Sequence, residues 1–298
     1  MNFYWVVLQP LLPCKPSLIL QSPVVHFVKY HALGNDYLVY IHNTPANESV
    51  PSAGLNVYKI QHICNRHTGL GADGILVPSL DVEGHIAVCI YNPDGSEAEK
   101  SGNGLRIFAR WLFDVGRACT APFDVHTAGG IVSCMVMDRA ASQVQVDISQ
   151  VTFEHMEMPL QIGNTRLRVN IVSIGNPHCV ILRDHLSAAE TQALGPRIET
   201  HRRFPKRTNV QFVRVLDRQH LQLEIWERGA GYTLASGSSS CAAAAVAVRL
   251  GLCKPMLTVS MPGGDLAITV SPDFQVRMTG PVVRVATIEL DDDVVAAA

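Results

Sequence analysis

Two stretches decide the fold: residues 92–116, NPDGSEAEKSGNGLRIFARWLFDVG, and residues 228–252, RGAGYTLASGSSSCAAAAVAVRLGL. Each is a polar, glycine-rich loop that ends in Ser-Gly and runs into an apolar segment. In the first, Leu105, Ile107, Phe108, Ala109, Trp111 and Leu112 are too dense for a surface helix and predict a mostly buried one. In the second, the run from Ser238 to Leu252 is alanine-rich, and its helix can pack closely against other backbone.

Outward from these helices the chain reads as short strands. VHFVKY (25–30) and YLVYI (37–41) flank a HALGND turn. Residues 55–66 predict a short helix ending at NRHTG. GILVPSL (74–80) and HIAVCIYN (85–92) are strands, and more follow from 121 to about 148. The segment 163–183 reads as strand, GNPH turn, strand. TNVQFVRVL (208–216) and LQLEIWE (221–227) precede the second loop, and hairpin-like strands over 257–270 and 274–290 finish the chain. The whole is a weak internal duplication of α+β class, with a boundary near 146. Two similar domains would enclose a cleft.

Composition narrows the function classes. The 298 residues are 47% hydrophobic and 17% charged, enough for a large core in one or two domains. A net charge of −2 gives no electrostatic reason to expect nucleic acid or an anionic membrane. None of the eight cysteines forms a CxxC pair, and the expectation is free buried thiols in a reducing cytoplasm. The first 24 residues are apolar but broken by Pro10, Pro13 and Pro16, and the first basic residue is Lys15. They lack the basic start of a secretory signal and the length of a membrane span. They read as a flexible extension, or as an upstream start.

GLGADG (69–74) fits a dinucleotide fingerprint in spacing only, because a strand and not a helix follows it. It reads as a structural turn. No Walker loop, HExxH or lysine in a Schiff-base setting is present, so neither metal nor cofactor is expected. The two Ser-Gly helix starts are either ordinary caps or carboxylate sites. Their matching places in a duplicated chain favour neither reading alone. Asn35, Asn92, Asn103, Asn176 and Asn209 stand in glycine or proline contexts at strand ends and suit a polar pocket. Glu227-Arg228 could hold a zwitterion, Arg by its paired donors and Glu by accepting from an ammonium, or could be a surface ion pair.

HALGNDY, RHTGLGADG, YNPDGSEAEKSGNGLR, GNPHCV, FPKRTNVQF and ERGAGYTLASGSSSCAAAA follow the ordered motif series of diaminopimelate epimerases. The chain resembles that family from about Val25 to Leu290. The resemblance implies two pseudo-symmetric domains, each a strand barrel around a central helix, with the substrate cleft between them. Residues 25–145 would form the first, joined by a returning strand at about 284–298, and 146–283 the second. It implies a cytoplasmic, cofactor-independent isomerase of lysine and cell-wall precursor synthesis that converts LL- to meso-diaminopimelate. Its partner would be a small zwitterionic amino acid, and a homodimer is compatible with it. In the family one cysteine thiolate removes the Cα proton and the opposite thiol delivers another. Carried over, Ser101 and Ser236 occupy those two slots. Asn35, Asn92, Asn176, Asn209, Glu227 and Arg228 match substrate contacts. Gly102-Asn103 and Gly237-Ser238 match the α-carboxylate cradles, and His178 stands close by.

The departures are specific. SGNG stands for CGNG, and YTLASGSS for ETLACGTG, so both cysteines are serine and a glutamate is Tyr232. Lys100 replaces a usually apolar residue. A helix terminus contributes only about 0.3–2 kcal/mol, too little to make an alkoxide near neutral pH. A serine base needs an activator, with His178, Tyr232, Glu99 and Lys100 as candidates. Three readings stand: an epimerase with activated serines; a related isomerase or dehydratase with one strong base; and a binding protein that has lost catalysis. An engineered knockout does not account for Tyr232, Ser238 and Ser239, which also depart.

Overall fold

The computed structural model describes residues 25–41 and 55–290. The expected extension at 1–24 and the end of the expected returning strand, 291–298, lie outside the described residues.

β1 (Val25–Ala32) and β2 (Asn35–Ile41) form a hairpin closed by Leu33 and Gly34. Both turn residues are left-handed, φ 56° and 87°, which matches the twist of the paired strands. Next come α1 (Val57–Cys64), β3 (Ile75–Leu80), β4 (Ile86–Tyr91), β5 (Glu97–Ala98) and α2 (Gly102–Asp114). β6 (Phe123–Thr127), β7 (Gly130–Val136), β8 (Gln143–Gln150) and β9 (Thr152–Ile162) follow. The order then repeats: β10 (Thr165–Ser173), β11 (Pro177–Leu182), α3 (Ala188–Glu199), β12 (Asn209–Asp217), β13 (His220–Glu227), β14 (Gly231–Thr233) and α4 (Gly237–Arg249). β15 (Met256–Met261), β16 (Gly264–Val270), β17 (Gln275–Pro281) and β18 (Val283–Leu290) close the chain.

The duplication holds down to strand direction. β2 and β3 are parallel, as are β11 and β12; β4 runs parallel to β6 as β13 does to β15. The halves also exchange ends. β9 pairs with β10, while β18 returns to pair antiparallel with β1. β8 and β17 pair across the seam, and β8 runs unbroken through residues 145 and 146.

Each half wraps its strands around one helix. α2 packs on β1, β2, β7 and β8, and α4 on strands of the second half. α2 buries Leu105, Ile107, Phe108, Trp111 and Leu112, as its apolar density predicts. α4 is buried continuously from Ser239 to Ala247, where small side chains let the strands approach on all sides. The sequence reading left α3 out. It is capped by Ser187, carries Pro196 inside, and is the second-half counterpart of α1. GLGADG is a turn into β3, as expected. A Cβ on Gly69 would collide with His62 O, and one on Gly74 with the Tyr37 ring.

Among the described residues no helix is long and apolar enough to cross a membrane. The seven described cysteines are all free.

Candidate active site

Both central helices begin at the seam. Ser101 and Ser236 are their N-cap residues, in near-identical extended conformations of φ −138°, ψ 116° and φ −146°, ψ 122°. Both line one cavity of about 1000 Å³. The adjoining glycines meet the same methionine of β17. A Cβ on Gly102 would overlap Met278 Cε, and one on Gly237 would lie 2.8 Å from it. Only glycine lets the two helix ends converge here. The first N–H groups of each helix have no partner within the helix, so two sets of donors face one space.

The two hydroxyls have different partners. Ser101 Oγ accepts the capping bond from Gly104 N–H at 3.0 Å and shares a hydrogen bond with Tyr37 Oη at 3.1 Å. Ser236 makes no side-chain capping bond. Its Oγ donates instead to Glu227 Oε2 at 3.2 Å, while Thr233 Oγ1 donates to Glu227 Oε1 at 2.8 Å. Burial pushes Glu227 above the usual carboxylate range, with these two bonds opposing the shift. Burial also pushes the Tyr37 phenol up to about 12, against the bond to Ser101. One serine therefore has a carboxylate behind it and the other a phenol that stays protonated at neutral pH.

An amide chain fixes the floor of the cavity. The buried Arg106 donates from Nη2 to Asn103 Oδ1 at 2.7 Å, and Asn103 Nδ2 donates to Asn35 Oδ1 at 3.0 Å. Asn35 Nδ2 then donates to Asp73 Oδ2 at 2.8 Å. A guanidinium cannot accept a hydrogen bond, so both amides are held in one orientation.

Of the residues expected from sequence, Asn35, Asn92, Glu99, Gly102, Asn103, Asn176, Glu227, Arg228, Gly237 and Ser238 line this cavity with the two serines. Asn209 and His178 stand behind the wall. Asn209 Oδ1 accepts from Arg228 N–H at 3.0 Å, and His178 Nε2 donates to Asn176 Oδ1 at 3.0 Å. Burial depresses His178 to about 3, so it is neutral and acts by holding Asn176.

The candidate activators need correction. His178, Tyr232, Glu99 and Lys100 make no hydrogen bond to either serine hydroxyl; Glu227 and Tyr37 do. Tyr232 lies on the opposite face of β14 from Thr233 and donates to Glu224 Oε2 at 2.6 Å. Strand alternation alone sends it away from the cavity. Glu99 and Lys100 line the cavity, and Glu99 is exposed. Tyr37 was missed, although it directly follows the expected Asn35-Asp36 turn on a strand that leads into the cavity.

The diaminopimelate epimerase family model matches residues 27–154 and 170–285. "Diaminopimelate epimerase 2" of Nostoc sp. PCC 7120 is 48% identical, with 91% of this chain and 97% of the relative covered. The diaminopimelate epimerase of Moorella thermoacetica is 37% identical over 88% of this chain and 97% of its own. Among solved structures, a hydroxyproline epimerase of Agrobacterium vitis with bound trans-4-hydroxy-L-proline matches with a TM-score of 0.68. It is 14% identical, with 90% of this chain and 91% of that one covered, and so supports the fold alone. Matched by the family model over most of its length and 48% identical to one relative, the chain belongs to the diaminopimelate epimerase family of amino-acid isomerases.

Proposed function

We propose that this chain epimerises diaminopimelate between its LL and meso forms, with Ser236 and Glu227 acting as a base pair on one face of Cα. Ser101 and Tyr37 supply the proton on the other. The substrate reading is supported by the relatives' names. The mechanism rests on one observation: Ser236, alone of the two caps, turns its hydroxyl from the helix to a buried carboxylate.

As the Cα–H bond breaks, Ser236 Oγ takes that proton and passes its own to Glu227 Oε2. The electron pair left on Cα spreads into the α-carboxylate, whose growing charge is met by the N–H groups of Gly102-Asn103 and Gly237-Ser238. Ser101 delivers its proton to the opposite face, and Tyr37 replaces it. One proton then returns from Glu227 to Tyr37 by way of solvent once the product has left. Arg228, Asn35, Asn92 and Asn176 hold the remaining polar groups of the zwitterion, and Asn209 and His178 hold two of these in place.

Domain limits of 25–145 with 284–298, and 146–283, belong to the same proposal: the β18–β1 pairing supports the return of the last strand to the first domain, and β8 carries the chain across the 145/146 limit. A cytoplasmic location, which the unpaired cysteines favour, belongs to it as well.

The test is incubation with LL-diaminopimelate in D₂O, following the α-proton by NMR. Solvent deuterium is expected to enter as the meso isomer forms, with the rate lowered about 100-fold or more in E227Q. Tight binding without exchange over days would instead identify a binding protein.

A further inference from the structure

A second constellation lies away from the cavity, where the β3–β4 turn meets β6. Asp81, His85 and His126 place one ligand atom each within 4.8 Å of one another. Both imidazoles address the same oxygen: His85 Nδ1 lies 2.9 Å and His126 Nδ1 2.8 Å from Asp81 Oδ2. The rings are stacked at 4.8 Å with 22° between their planes, each with its Nδ1 beside that oxygen. Glu83 Oε2 stands 3.6 Å from His85 Nδ1, within reach as a fourth group.

The turn holds this arrangement. Asp81 Oδ1 accepts from the backbone N–H groups of Glu83 and His85 at 2.9 and 2.8 Å. That fixes the carboxylate and leaves Oδ2 facing the rings. His126 comes from the neighbouring strand, joined to β4 by the single register pair Ala87–His126.

We propose that Asp81, His85 and His126 form a binding site for a divalent transition cation of the zinc class, which clips the β3–β4 turn to β6. Two imidazole nitrogens and one carboxylate oxygen suit zinc, cobalt or nickel, whereas calcium and magnesium prefer all-oxygen shells. Zinc bonds of about 2.0–2.2 Å place tetrahedral ligand atoms roughly 3.4 Å apart. A small spreading of the present cluster makes that room. Each neutral imidazole binds through Nδ1 by carrying its proton on Nε2. Asp81 and His85 stand at the start of β4, and none of the three ligands lines the cavity. The proposal rests on these three side chains alone and uses nothing of the epimerase reading.

Titration calorimetry of the full chain with zinc chloride tests this. The expected result is a saturable site that weakens at least ~10-fold in each of H85N, H126N and D81N. A parallel titration of the unmodified chain with nickel(II) is expected to broaden the ring NMR signals of His85 and His126 first. Isotherms that are the same in the variants, or a cobalt(II) spectrum with thiolate bands from a cysteine site instead, would overturn the proposal.

Discussion

At the residue scale the decisive feature is where the Ser236 hydroxyl points. A serine N-cap normally accepts from the helix it caps, as Ser101 does from Gly104. Ser236 gives up that bond for Glu227, and the carboxylate's ionisation then has two effects of opposite sign. Its folded pKa lies above the ordinary 4.5 because the side chain is buried. Its contribution to stability is therefore complete below 4.5 and lost as pH rises through the folded value. In the proposed mechanism the same loss of a proton creates the base. The rate of α-proton exchange should rise, and the melting temperature fall, across one pH window. E227Q should flatten both curves. Melting profiles of wild type and E227Q that run parallel from pH 4 to 8 would mean Glu227 titrates as an ordinary exposed acid. The sequence shows Glu227 as a site residue but not as the partner of Ser236. That partnership depends on the Glu227–Gly231 register of β13 and β14, which puts Thr233 on the cavity side and Tyr232 on the other. No motif displays a register.

At the element scale the helix starts depend on two glycines and one methionine. Gly102 and Gly237 are needed because Met278 occupies the space a Cβ would take at either. G237A should cost about 1–3 kcal/mol by overpacking and shift the N–H donors of α4. M278A should relieve much of that cost, so the double variant melts closer to wild type than the sum of the singles. Additive melting shifts would show that the two side chains do not share the space. This dependence was invisible in sequence, since Met278 lies in a late strand, far along the chain from either helix. The helices themselves were legible, because α2 is too apolar for a surface and α4 too rich in alanine for anything but close packing. α3 was not. Gly195 and Pro196 break its helical pattern, yet Gly195 is what lets it lie on Trp226, where a Cβ would strike the ring. The duplication held the missing signal, since the place of α1 in the first half demands a counterpart between β11 and β12.

At the scale of the whole molecule, two repeats with the same strand directions hold non-equivalent chemistry. Each repeat contributes a helix that starts at a serine, but one serine is backed by a carboxylate and the other by a phenol. In the proposed mechanism proton removal is thus easier from the face of Ser236 than from that of Ser101, because a phenol held near 12 keeps its proton at neutral pH and cannot take another. The isomer whose Cα–H faces Ser236 should lose its α-proton to D₂O faster than the isomer facing Ser101. At saturating substrate the initial rates of deuterium entry from LL- and meso-diaminopimelate should therefore be unequal, with the two KM values shifted in the same sense so that the ratio of kcat/KM keeps to the equilibrium constant. Placing thiols at both positions removes the reason for the inequality. A thiol has a pKa near 8.5, lower beside a helix N-terminus, and needs no neighbouring carboxylate to ionise. At saturating substrate the double variant S101C/S236C should exchange both isomers at similar rates, with the slower wild-type direction gaining about 100-fold or more. Equal saturating rates from the two isomers in the wild-type chain would mean that Glu227 and Tyr37 do not make the two faces unequal. The fold would then be serving both faces through some group other than these two.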